Sequence, residues 1–147
     1  MKRQTNLPII GWREKIDFPG LKLLQIDAKI DTGADGSSIH YTRYKMIRQG
    51  GEKFLKFQLL SEDHPQWRSK FLKTKRFDRI NVKSSSGHIQ KRIQIRTKIC
   101  FLGKTFYAYF SLSNRSTMEY PVLIGKNILR NRYIVDVSQE YCSSKPD

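Results

Sequence analysis

Charge dominates this 147-residue chain: 28 Lys and Arg stand against 13 Asp and Glu, a formal +15 at pH 7, while hydrophobic residues make up 38%. The length suits one domain over residues 1–147, with a modest core that needs no disulfide or metal staple. There is no apolar run near the roughly 18 residues of a membrane helix, no GxxxxGK[ST] phosphate loop, and no HExxH or CxxC metal motif, so membrane-spanning, nucleotide-driven and zinc-dependent classes have no support.

At the start of the chain a basic tip precedes an apolar stretch of only Leu7 to Ile10. That is too short for a secretory leader, and the expected location is the cytoplasm. Leu24, Ile26, Ala28 and Ile30 then alternate along a strand that runs directly into Asp31-Thr32-Gly33. Gly33 permits a turn that other residues resist, and Thr32 and Gly33 are too small to cover the Asp31 carboxylate. An acid on a rigid strand end is well placed to act on a substrate. Asp-Thr-Gly is equally an ordinary polar turn, and by itself the triplet leaves both readings open.

Beyond the turn QGGE, Leu55, Phe57 and Leu59 share one side of EKFLKFQLL. From Arg68 to Lys104, twelve basic residues accompany the single acid Asp78. A segment so biased attracts polyanions, whether nucleic acid, anionic lipid or acidic peptide. Within it lies KSSSGHI (83–89), a small polar turn. Ile93, Ile95, Thr97 and Ile99 next alternate with Gln94, Arg96 and Lys98; Phe106, Ala108, Phe110 and Leu112 alternate with Tyr107, Tyr109 and Ser111. FLGK, centred on Gly103, joins the two runs as a hairpin. PVLIGKNIL supplies an apolar strand, a glycine and a helical turn or two, and RYIVDV adds a last β-branched run. Short strands with turn signals about every ten residues predict an all-β barrel or sandwich with one short C-terminal helix. Cys100 and Cys142 read as reduced thiols, and His40, His64 and His88 are scattered singly.

DTGAD (31–35) followed by LIGKNIL (123–129) is similar to the two-part signature of retropepsin-like aspartic proteases. The tracts IIGWREKIDFPGLKLLQIDAKIDTGADGSSIHY (9–41), VKSSSGHIQKRIQIRTKI (82–99), FSLSNRSTMEYPVLIGKNIL (110–129) and RYIVDVSQEY (132–141) resemble, in order, the bacterial branch of that family. Its members are often labelled ATP-dependent zinc proteases and are sometimes encoded beside a glutamate ligase that modifies a ribosomal protein. The resemblance implies a small closed barrel of the acid-protease type and peptide hydrolysis with no metal or cofactor. Asp31 would be the catalytic carboxylate, with Thr32 bonding across a dimer and Gly33 giving the backbone room to approach substrate. Ala34 and Asp35 would lie against substrate, Asp35 would pair with Lys126, and Gly125 and Asn127 would support the site. KSSSGHI takes the place of the flap, so that Ser85, Ser86, Gly87 and His88 would touch peptide; by composition alone it is an exposed hairpin turn. Arg92, Arg115 and Met118 match further family positions, and Arg92 would touch substrate. On residue chemistry they are surface or ion-pairing arginines and a core filler. Many members carry DTGART, and here Asp35 replaces that arginine.

Aspartic proteolysis needs two carboxylates that share one proton. With one Asp-Thr-Gly in the chain, the second is expected from a two-fold partner, making the active species a homodimer. The other reading is a monomer in which Asp31 has no partner and cleaves nothing. A cleft lined by cations favours acidic, glutamate-rich peptides, with a ribosomal protein as a candidate substrate. The alternative from a different class is a non-catalytic basic β-barrel that binds acidic peptide, or RNA on the ribosome, through Tyr107, Tyr109 and Arg96.

Overall fold

Period-two alternation makes almost every element of this chain a strand. The computed structural model describes residues 6–84, 86–115, 117 and 119–144. In chain order these residues form β1 (Ile9–Ile10), β2 (Arg13–Phe18), β3 (Leu23–Ile30), β4 (Ser37–Gln49), β5 (Glu52–Leu59), β6 (Leu72–Thr74), β7 (Phe77–Lys83), β8 (Ile89–Phe101), β9 (Lys104–Ser113), β10 (Val122–Ile124), α1 (Lys126–Leu129) and β11 (Ile134–Val135). Six strands follow one another in the order β10-β3-β2-β8-β9-β4, and β4 pairs back onto β10, so the circuit closes on itself. Closure leaves those strands without an open edge. The pairs β5–β6 and β7 extend from the ring as open flanks. The fold is thus all-β with one short helix, as expected. No helix among the described residues is long and apolar enough to cross a membrane.

β10 is only three residues long, yet it is paired on both edges. It runs parallel to β3, with Val122 opposite Ala28, and antiparallel to β4, with Val122 also opposite Ile39. The ring's interior is filled by Phe18, Phe110, Ile16, Ile26, Ile39 and Ile95, all essentially inaccessible. Phe18 meets Phe110 edge-to-face at 5.1 Å, the arrangement aromatic quadrupoles prefer. Leu55, Phe57 and Leu59 are buried on β5, and β8 and β9 form the predicted hairpin around Gly103, at φ 78°.

Two departures from the sequence reading have clear causes. Leu24 is 56% exposed, and Leu23 is buried in its place. Gln25 adopts φ 53°, and the β2–β3 register slips between Ile16 and Phe18. This bulge inserts one residue and exchanges the two faces, and it is secured by Gln25, whose backbone N–H and side-chain amide both donate to Asp17 Oδ1. The second is β4, which has no clean alternation. Its first four residues, Ser37 to His40, are all buried because β9 and β10 flank them; the remainder pairs with β5 in a more exposed hairpin.

The C-terminal segment is tied to the start of the sheet. Glu14 is fully buried, and its carboxylate accepts N–H bonds from Gly11 and Cys142 at 2.8 and 2.9 Å. Tyr133 donates to the Phe101 carbonyl at 2.6 Å, and burial pushes its phenol pKa up to about 12. Because Glu14 is acceptor-only when ionised, Glu14→Gln places an amide donor among backbone donors. We expect a loss of about 1–3 kcal/mol in urea unfolding, with faster hydrogen exchange at Cys142.

Candidate active site

Asp31 follows the last residue of β3, where alternating burial ends. Its N–H donates to the Ile124 carbonyl of β10 at 2.8 Å, so the residue stays locked to the ring after the strand stops. The Gly33 N–H donates to Asp31 Oδ1 at 2.9 Å, and the Ala34 N–H to the Asp31 carbonyl at 3.3 Å. One carboxylate oxygen is therefore oriented by backbone, and the turn keeps the side chain at the surface of a cleft.

The loop 31–36 is stitched to the segment that follows β10. Lys126 N–H donates to the Ala34 carbonyl at 2.8 Å and Asn127 N–H to the Asp35 carbonyl at 3.0 Å. Ser37 Oγ accepts the Gly125 N–H at 2.9 Å and donates to Asn127 Oδ1 at 2.6 Å, while the Asn127 amide donates to the Tyr109 carbonyl at 3.1 Å. The approach at Gly125 is so close that a Cβ there would lie 2.1 Å from the Gly36 oxygen and 2.7 Å from that of Ala34. The expected Asp35–Lys126 pair is present at 3.5 Å. Asp35's side chain is 97% exposed, however, and exposed pairs contribute little. The backbone bonds and Ser37 hold the loop.

A cleft of about 1,100 Å³ opens over this junction. Of the residues singled out in the sequence, Asp31, Gly33, Ala34, Asp35, Arg92, Tyr109, Arg115 and Asn127 line it. Thr32 is exposed beside it, and Gly125 and Lys126 act from beneath through their backbones. Ser85 and Met118 lie outside the described residues. Ser86, Gly87 and His88 sit at the tip of the β7–β8 hairpin, away from the lining, whereas the β7 arm from Ile80 to Ser84 forms one wall. The hairpin therefore faces the cleft with its arm.

Sequence reasoning missed Ser38, Gln94, Tyr109, Ser111 and Leu123 as cleft residues, and gave Arg115 no place beside Asp31. Gln94 pairs with Ser111, Ser111 with Ser38, and Ser38 with Leu123 across four strands. The signal was the polar half of the β8 and β9 alternation, which lines the cleft as directly as the apolar half fills the core. Arg115 sits in a loop without periodicity. Its N–H donates to His40 Nδ1 at 2.8 Å and its Nε to the Tyr120 carbonyl at 3.0 Å, which directs the guanidinium toward the cleft. Burial lowers the Arg115 pKa, Arg92 lowers it further, and the Asp31 charge opposes both; burial likewise lowers that of Arg92. Two half-buried guanidiniums thus stand with Asp31 in one cleft.

Two predictions follow from these supports. Ser37→Ala removes one acceptor and one donor beneath the loop and should cost about 1–3 kcal/mol in denaturant unfolding, more than Asp35→Ala. Burial holds the pKa of His40 and His64 below the usual histidine value. The unfolded chain then binds more protons, so stability is complete above about pH 6.5 and declines as pH falls below it. His40→Asn keeps an acceptor for Arg115 N–H and should flatten that decline, measured as unfolding midpoint against pH.

Residues 9–146 match the RimB-like family model, described as the retropepsin-like aspartic endopeptidase RimB. A Shewanella halifaxensis protein named "Probable alpha-L-glutamate ligase" is 36% identical over 141 residues, covering 93% of this chain and 30% of that protein. A Desulfotalea psychrophila protein of the same name is 33% identical over 140 residues, covering 92% and 29%. The chain thus spans less than a third of the length of these relatives. A crystal structure of a Legionella pneumophila protein of unknown function shares the fold at a TM-score of 0.68 and 24% identity, over 92% of this chain and 98% of that one. With a family model matched from Ile9 nearly to the C-terminus, this chain belongs to the RimB-like family of retropepsin-like aspartic endopeptidases.

Proposed function

We propose that this chain is an aspartic peptidase of the cytoplasm whose catalytic pair consists of the Asp31 carboxylates of two copies, and that it cleaves acidic, glutamate-rich segments. The observation that supports this most is Asp31 itself, fixed to β10 by its N–H and oriented by the Gly33 N–H at the cleft surface. The chain's other candidate acids have other partners. Asp27 is bound by Lys15 and Tyr141, Asp35 by Lys126, and Asp136 by Ser138 and Gln139. A second Asp-Thr-Gly does not exist in the sequence, so the partner carboxylate comes from a second copy.

In such a pair, like charges held close share one proton. The ionised carboxylate takes a proton from water as its oxygen attacks the scissile carbonyl carbon. The protonated carboxyl gives its proton to the carbonyl oxygen. Collapse of the tetrahedral species returns a proton to the departing amine, leaving one acid and one amine for each water consumed. Thr32, exposed next to Asp31, is the residue that would bond across the two-fold axis.

Substrate class follows from charge. Arg92, Arg115 and Lys83 line the cleft, and among the described residues none has a carboxylate within ion-pair range. Partly desolvated guanidiniums bind carboxylates strongly and in fixed geometry. The relatives named as glutamate ligases match this chain over only part of their length. A peptidase domain next to an activity that attaches glutamate would have a glutamate-rich product at hand, and a ribosomal protein modified in this way is the partner we favour.

The test is hydrolysis of an oligoglutamate peptide followed by mass spectrometry. Asp31→Asn should slow cleavage by roughly 10²–10⁴-fold. Adding excess Asp31→Asn chain to wild type should depress wild-type activity through mixed dimers, and sedimentation should show a dimer at working concentration. Absence of Asp31-dependent cleavage from about pH 4 to about pH 8 would overturn the reading.

A further inference from the structure

Next to the cleft, the outer face of β8 and β9 carries an arrangement that extends beyond the cleft lining. Across the two strands Lys98 stands opposite Tyr107 and Arg96 opposite Tyr109. Arg76, just before β7, is joined to this face by the Arg96 N–H, which donates to its carbonyl at 3.1 Å. Two guanidiniums converge on one ring: Cζ of Arg96 lies 4.6 Å from the Tyr107 centroid and Cζ of Arg76 lies 5.6 Å from it. Neither has a carboxylate within ion-pair range among the described residues. The acids that share this face stand at its ends and are engaged. Asp78 accepts from the Gln94 amide, and Asp17, opposite Cys100, accepts from Gln25.

Like charges gathered over one aromatic ring repel each other. The ring's negative face offsets part of that repulsion, and a bound anion would remove the rest. The face also offers two flat surfaces: Tyr107 and Tyr109 are each 48% exposed, on alternate residues of one strand and so about 7 Å apart along it. Arg76, Arg96 and Lys98 are exposed around them. Cations alone would suit any polyanion. Adjacent exposed rings set among cations suit one whose repeating unit is planar, because every base has a face that stacks. A glutamate-rich peptide matches the charge but has no planar repeating unit to stack on the tyrosine faces.

We propose that this face docks single-stranded RNA, with bases stacked on Tyr107 and Tyr109 and phosphates held by Arg76, Arg96 and Lys98. Tyr109 also borders the Asp31 cleft, so the bound strand lies beside the cleft mouth and would hold the chain against a ribonucleoprotein. The site goes beyond the proposed peptidase activity and does not rest on it.

Fluorescence anisotropy with a labelled oligouridine, titrated at several salt concentrations, tests the site. Wild-type protein should bind, with log affinity falling linearly in log salt. Tyr107→Ala should weaken binding about tenfold or more, and unfolding midpoints confirm that the variant is folded. The double variant Arg76→Ala, Arg96→Ala should make the salt slope shallower by roughly 1.4, two phosphate contacts on a single strand. Asp31→Asn should bind RNA like wild type, which separates this site from catalysis. Failure of wild type to bind, equal affinity of folded Tyr107→Ala, or displacement of the RNA by an oligoglutamate peptide at equal charge concentration would each overturn the proposal, the last in favour of an acidic-peptide surface.

Discussion

The contact between Gly125 and the loop 31–36 is the constraint on which the rest of the site depends. The carboxylate proposed here as catalytic would have to sit at a surface to meet substrate and yet be held still, and surface loops normally move. Here the conflict is resolved by laying one backbone almost directly on another. Only glycine at 125 allows the Gly36 and Ala34 carbonyls to come so near, and the approach lets Lys126 and Asn127 donate their N–H groups to that loop. Ser37 then bridges Gly125 and Asn127 from below. Asp31 is held by secondary-structure hydrogen bonding although it lies outside any strand.

That stitching explains why the ring of strands closes where it does. β10 must lie between β3 and β4 for its following glycine to reach the loop that joins those two strands. The same closure buries the first half of β4 on both sides and opens the polar face of β9, β8 and β7 as the cleft floor and wall. Core and cleft are two faces of the same strands, separated by period-two alternation. A substitution that shifted register in β8 or β9 would damage both at once.

Electrostatics sorts the surface into regions with different tasks. In the cleft, Arg92 and Arg115 are half-buried, so their charges act through a less screened medium. On the outer face, Arg76, Arg96 and Lys98 are exposed and surround tyrosines, where attraction is screened by solvent and sensitive to salt. Where the C-terminal segment meets β2 the logic is opposite: Glu14, the one buried acid among the described residues, accepts from backbone donors. A net charge of +15 therefore describes no single site.

Much was legible from residue order alone. Alternation gave the β8–β9 hairpin and the interior of β5, because that signal is local, and the family resemblance carried by DTGAD and LIGKNIL pointed to the two segments that meet at the candidate site. The bulge at Gln25, the buried start of β4 and the inward direction of Arg115 were not, since each depends on a neighbour far along the chain: Asp17 and the β2 register, β9 with β10, and His40 with Tyr120. The sequence by itself determined an all-β chain with one Asp-Thr-Gly and an excess of cations. Tertiary structure alone decided which cations share a cleft with Asp31 and which surround Tyr107, and that backbone contact at Gly125, more than the exposed Asp35–Lys126 pair, holds the loop. Closure of a sheet brings together residues that no sequence period relates.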